Sequence, residues 1–173
     1  SSDVCSSDLR CGKTTLLKHF EEECTEKTLF VTGDDIAVRE YLESQSLAKL
    51  RSFIGEAKVL IIDEAQRIRD IGQNLKLMVD HMPHVAVLAT GYSAFNLLQQ
   101  AGEPLTGRKL TLLLFPLSQM ELALIEKRHE IKTRLDERLI FGSYPEVILM
   151  DDAHMRQQYL RELIGAYLFR DVL

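Results

Sequence analysis

Residues 58–63, Lys-Val-Leu-Ile-Ile-Asp, constrain this chain more than any other stretch. Four consecutive apolar residues leave neither side of a strand for water, so such a strand must be covered on both faces. That is the environment of an interior strand in a parallel sheet with helices packed above and below. The run ends in Asp63-Glu64, two carboxylates at the carboxyl end of a strand, where open α/β sheets bind their ligands.

The rest of the chain fits around such a sheet. An amphipathic stretch predicts a helix over 15–24, followed by a strand over 28–32. Gly33-Asp34-Asp35 then turns the chain into helical stretches across 36–54. A helix over 71–81, a strand over 85–90, a helix over 94–100 and a last strand over 109–115 follow. From Ser118 onward only helical periods occur, broken near Gly142 and Pro145. The change of period predicts a boundary between a sheet core over residues 10–117 and a helical lid over 118–173. Ser118-Gln119-Met120-Glu121 has the spacing of a helix capping box and is read as structural.

Both ends look artificial. Residues 1–9, SSDVCSSDL, match neither a strand nor a helix period and resemble the translated read-through of a short-read sequencing adapter, so they are expected to be non-native, the alternative being a natural flexible, serine-rich N-terminus. The chain stops on the apolar helical run 167–173 with no stop signal after it. If residues 1–9 replace the strand that should lead into Gly12, poor folding is the expectation, because the strand order implied by the resemblance given below puts that strand mid-sheet, with an unpaired edge on either side of its absence.

Bulk properties narrow the function. The 173 residues are 46% hydrophobic and 27% charged, sufficient for one cored domain, and the formal charge of −5 argues against a surface built to hold nucleic acid. No apolar run approaches the roughly 20 residues needed to span a bilayer. Cys5, Cys11 and Cys24 have no metal-type spacing, which predicts reduced thiols and a cytoplasmic location.

Arg10-Cys11-Gly12-Lys13-Thr14-Thr15 carries the end of the phosphate-loop pattern G-x-x-x-x-G-K-[ST]. Gly12 would let the backbone approach phosphates, whose charge is met by loop N–H groups and the start of the next helix, where Thr15 lies. Lys13 would reach the β- and γ-phosphates and the Thr14 hydroxyl would coordinate magnesium. The first glycine of the pattern falls at position 7, where this chain has Ser7. At the acidic strand end, Asp63 would hold magnesium through water, and Glu64 would polarise the water that attacks the γ-phosphate. Two readings stand for the next strand end: Thr90, with Ser93 second, senses the γ-phosphate, or Thr90-Gly91 is turn chemistry and Ser93 a helix cap. Arg108, ahead of the last strand, is read either as a group that neutralises transition-state charge in cis or in a neighbouring subunit, or as a surface arginine.

Taken together, GKTTL, VLIIDEAQ, LATG, LTGR, FPLS, and SYPEV followed by YLFRDVL resemble one family, the AAA+-related ATPases of the AAA_14 type, usually followed by a DUF4143 domain. The resemblance implies an α/β P-loop NTPase fold of three α/β/α layers with the parallel strand order 5-1-4-3-2, its first strand missing here, and a helical lid. It also implies a C-terminal domain that this chain lacks. Lys13 and Thr14 would be the Walker A pair, Asp63 and Glu64 the Walker B pair, Thr90 a sensor and Arg108 a finger. Three departures from the pattern are Ser7 in place of the first Walker glycine, Tyr92 in place of a small residue, and Ser143 in place of a glycine.

The expected activity is therefore binding and Mg2+-dependent hydrolysis of ATP that drives or regulates an attached domain, with a homo-oligomer or neighbouring subunit as partner. The alternative is a slow-hydrolysing, ATP-bound switch that recruits a partner. A GTPase ranks last because no N-K-x-D guanine-reading motif occurs, and no basic run supports a motor on DNA.

Overall fold

The apolar run ahead of Glu64 forms strand β3 (Val59–Asp63), and all five of its residues are buried. Its side chains alternate between two helical layers, as the period of 2 requires. Leu60 and Ile62 join a core with Val38 and Leu42 of α2 (Ile36–Leu42), Leu50 and Ile54 of α3 (Leu47–Ile54), and Met78 of α4 (Ile71–His81). Val59 and Ile61 face the other way and pack with Leu17 of α1 (Lys13–Glu23). Each fully buried Leu or Ile of such a strand contributes about 1.5–3 kcal/mol through the water it sheds.

The computed structural model describes residues 2–7, 10–91 and 109–167, and the chain divides into two compact units, Ser1–Leu114 and Phe115–Leu173. In the first unit β2 (Thr28–Thr32), β3 and β4 (Ala86–Gly91) form a parallel sheet flanked by helices. With β1 (Ser2–Ser7) and β5 (Lys109–Leu114) the strand order becomes β2-β3-β4-β1-β5. The register sets Thr32 beside Asp63, Ile62 beside Ala89, and Thr90 beside Cys5, so the carboxyl ends of the strands form one row.

Ser2–Ser7 takes the place in the sheet where the native first strand was expected to be missing. Ser2–Ser7 pairs in parallel with β4 on one side and β5 on the other, so neither interior edge is left open. A parallel ladder is made by backbone N–H and C=O groups, which a segment offers whatever its side chains are. The sequence of the segment, with only Val4 and Cys5 apolar, is nevertheless thin for an interior position. Beneath α1 lies a cavity of about 300 Å³, lined by Leu16, Leu17 and Phe20 from the helix and Val59, Val87 and Leu112 from the strands.

Caps explain where the helices begin. Asp35 starts α2 by accepting from the Ala37 N–H at 2.8 Å. The helical stretches expected across 36–54 are α2 and α3, separated where Gln45 takes a left-handed φ of 48° and Ser46 then caps α3. The strand and helix expected over 28–32 and 71–81 have those bounds in the structure. The helix expected over 94–100 lies outside the described residues.

The second unit is helical: α5 (Gln119–Leu122), α6 (Arg128–Thr133), α7 (Leu135–Phe141), α8 (Pro145–Ile148) and α9 (Ala153–Tyr167). Ser118 and Glu121 form the capping box read from their spacing, each side chain bonding the other's backbone N–H. Gly142, at a φ of 76°, ends α7, and Pro145 opens α8, which accounts for the break in periodicity. Arg138 is buried and bonded to Glu126, and to Gln119 Oε1 at 2.6 Å. No helix among the described residues is long and apolar enough to cross a membrane.

Candidate functional site

The row of strand ends carries the candidate site, and α1 delivers the residues that face it. Gly12 caps that helix at φ 93° and ψ 21°, a left-handed conformation that a side chain would strain. Arg10 is left-handed too, with φ 55°, so the chain bends twice before the first helical turn. The bend puts Lys13 and Thr14 over the sheet. Lys13 is buried and its Nζ donates to the Gly91 carbonyl at 3.1 Å. The Thr14 hydroxyl donates to Asp63 Oδ2 at 2.6 Å. Thr15 lies in the same first turn, and its side chain is exposed.

Asp63 is the hub. Its Oδ1 accepts from the Thr90 hydroxyl at 2.6 Å and from the Glu64 N–H at 3.0 Å, while Oδ2 receives Thr14. Asp63 and Thr90 are both buried, so these bonds form where water competes little. The structure thus brings together Gly12, Lys13, Thr14, Asp63 and Thr90 from three separate sequence motifs. Arg108 and Ser93 lie outside the described residues, as does Tyr92.

Glu64 stands at the edge of this group in an unusual backbone state. Its φ of 52° and ψ of 40° are left-handed, and it caps the 3-10 turn Ala65–Arg67. The kink ends the strand and breaks the alternation of β3 just where the second carboxylate begins. A non-glycine residue there costs about 1–2 kcal/mol, so the surrounding structure has to hold it. Gln66 Nε2 donates to the Glu64 carboxylate from the same turn. Gly33, after β2, donates its N–H to the Asp63 carbonyl at 2.8 Å, and its Cα lies close to the Glu64 carbonyl, with no room for a Cβ between them. Asp34 pairs with Arg67 Nε at 2.7 Å and ties the β2–α2 loop to the turn.

Sequence reasoning assigned no site role to Gln66, Gly33 or the Gly91 carbonyl. A signal existed for Gln66, which follows the acidic pair at the spacing of one 3-10 turn. Gly33 read only as turn chemistry, because its closeness to Glu64 depends on the register of β2 against β3.

The donor set fits magnesium. A carboxylate with an aliphatic hydroxyl beside it supplies hard oxygen ligands, and that ion keeps several waters and accepts few protein groups. Among the described residues no group of three or more His, Cys, Asp or Glu converges, so a site for a softer or fully protein-ligated metal is not what these side chains build.

Residues 9–123 match the AAA_14 family, described as an AAA domain. This chain belongs to the AAA_14 family. The matched span runs through Gly12-Lys13-Thr14, the acidic strand end and all five strands but the first. A relative from Methanocaldococcus jannaschii, the uncharacterized protein MJ1544, is 27% identical over 185 residues, covering 95% of this chain. The chain spans 40% of that relative's length. AAA_14 membership places the chain among ATPase-type, nucleotide-binding domains.

Proposed function

We propose that this AAA_14 domain binds ATP with Mg2+ and hydrolyses it, and that hydrolysis drives or regulates a further domain of the whole protein. The observation that carries the reading is the convergence of Thr14 and Thr90 on Asp63 at the end of β3, both carboxylate oxygens engaged by hydroxyls, with Lys13 bonded to Gly91 at the end of the neighbouring β4. The first turn of α1, with Gly12, Lys13, Thr14 and Thr15, would receive the phosphates on its N–H groups and on the Lys13 ammonium. Thr14 and Asp63 would hold the magnesium ion, which supplies charge neutralisation at the phosphates when bound. Glu64 would orient and deprotonate the attacking water, Thr90 would sense the γ-phosphate, and Arg108 would neutralise developing charge in cis or across a subunit boundary.

The order β2-β3-β4-β1-β5 is 5-1-4-3-2 read from the opposite edge, which supports an AAA+-type core. The helical unit from Phe115 onward supports a lid. The relative's greater length supports a further domain in the whole protein. We place the activity in the cytoplasm and expect a neighbouring subunit of the same kind as a partner.

A second reading, a slow-hydrolysing ATP-bound switch, draws on the Gln66 amide that engages Glu64. Mg-ATP turnover, measured beside Glu64→Gln and Lys13→Ala, separates the two. Turnover that Glu64→Gln removes while ATP still binds supports hydrolysis. Tight ATP binding without turnover in the unaltered protein favours the switch.

A further inference from the structure

We infer that Gln66 and Gly33 are positioning residues that aim the Glu64 carboxylate, Gln66 by a direct hydrogen bond and Gly33 by leaving room for the backbone turn that Glu64 makes. The inference rests on the hydrolytic reading of Glu64 and deepens it.

Three observations carry it. First, Glu64 is left-handed, one of four described non-glycine residues with positive φ, and it is the one that bears the candidate base. Strain of this kind persists only where neighbours over-determine it, and it turns the side chain off the direction that β3 would impose. Second, a Cβ on Gly33 would stand 2.3 Å from the Glu64 carbonyl oxygen and 3.1 Å from its carbonyl carbon. Both are backbone atoms, so the contact has no flexible end to yield. The lack of a side chain, rather than a turn conformation, is what Gly33 provides. Third, Gln66 Nε2 donates to Glu64 Oε2, and Gln66 Oε1 is buried with no partner among the described residues. The amide accepts that cost while its nitrogen holds one carboxylate oxygen and leaves the other for a water. A general base held by an amide donor at one oxygen is fixed in orientation, as catalytic bases are by a third group.

The test is the kinetics of Gln66→Leu, which keeps the volume and removes the donor, beside Glu64→Gln and the double variant, in the full-length protein. The expected result is a kcat lower by about 10- to 100-fold, the range for a hydrogen bond to a charged group, with ATP affinity within about twofold of the unaltered protein. The double variant should be no slower than Glu64→Gln alone, because Gln66 acts only through Glu64. A merely structural role would instead add its loss to that of Glu64→Gln and weaken ATP binding too. Gly33→Ala should repeat the kcat loss if it folds.

The contact is read separately by the side-chain amide resonance of Gln66 in nucleotide-free protein, which Glu64→Ala should move. A resonance that Glu64→Ala leaves in place overturns the inference. So does turnover that Gln66→Leu leaves unchanged or raises, and a rise would favour the switch. If the unaltered protein binds ATP without hydrolysing it, the hydrolytic reading fails and the inference fails with it. Turnover of the unaltered protein therefore tells the two failures apart.

Discussion

Thr90 Oγ1 donates to Asp63 Oδ1 at 2.6 Å, linking the ends of two neighbouring strands, both residues being buried. The same carboxylate receives Thr14 on its other oxygen, so its orientation is fixed from both sides before any ligand arrives. Removing the Thr90 donor with Thr90→Val keeps the side-chain shape and leaves Oδ1 with the Glu64 N–H, a weaker hold on the carboxylate. The expected outcome is a fall in turnover of about 10- to 100-fold and a higher magnesium requirement, as for other partners that orient a metal ligand. Thr90→Ser should retain most of the activity. A magnesium titration of turnover on both variants checks this, and equal curves for Val and Thr would leave Thr90 as turn chemistry.

Lys13 gives a prediction of the opposite kind, about binding rather than chemistry. Its ammonium is buried, and one of its bonds goes to the Gly91 carbonyl, which phosphate oxygens can displace. Lys13→Met keeps the aliphatic stem and removes the charge. ATP affinity should fall by about 10- to 100-fold, the range for charge-assisted hydrogen bonds. Titration with a fluorescent ATP analogue reads the change.

What the sequence could and could not show follows from how each feature is encoded. Val59–Asp63 was legible because complete burial demands an unbroken apolar run, and Ile71–His81 because an amphipathic helix repeats its pattern over three turns. The capping box at Ser118 is a short-range motif and needs no tertiary information. The pairing of β1 was not legible, because its ladder is made by backbone groups that any segment carries, while Ser2–Ser7 has only Val4 and Cys5 to announce an interior strand. The site divides in the same way. Lys13, Thr14, Asp63 and Thr90 come from local patterns, whereas the hold of Gly33 on Glu64 arises from strand register and left no local trace.

The helical unit should respond to acid through Glu126. The hydrogen bond from Arg138 holds its carboxyl below the usual carboxylate range, against the opposing pull of burial, and the charges of Arg138 and Arg134 add to the lowering. A depressed folded pKa means that the ionised form stabilises the fold above the unfolded pKa, and that this stabilisation is lost as pH falls through the folded value. Hydrogen exchange in α7 (Leu135–Phe141), corrected for the intrinsic pH dependence, should therefore accelerate on acidification from neutral pH to about pH 3. Glu126→Gln should show faster exchange already at neutral pH and a flatter pH response. Exchange in α7 that is independent of pH would show that the pair does not stabilise the unit.

Gly33 and Gly165 should give opposite signs for the same substitution. Alanine at Gly33 would place its methyl carbon 2.3 Å from the Glu64 carbonyl oxygen, so the β2–α2 loop or the 3-10 turn must move, at a cost of about 1–3 kcal/mol. Alanine at Gly165, inside α9 (Ala153–Tyr167), meets nothing within 4 Å among the described residues and removes the entropic penalty of a helical glycine, a gain of about 0.5–1 kcal/mol. Urea unfolding midpoints of the two variants, followed by helical circular dichroism, measure the difference. Because Gly33 bears on Glu64, its variant should also lose turnover, whereas Gly165→Ala should not. A Gly33→Ala protein as stable and as active as the unaltered one would mean that the loop relaxes freely and that the close approach does not hold Glu64 in place.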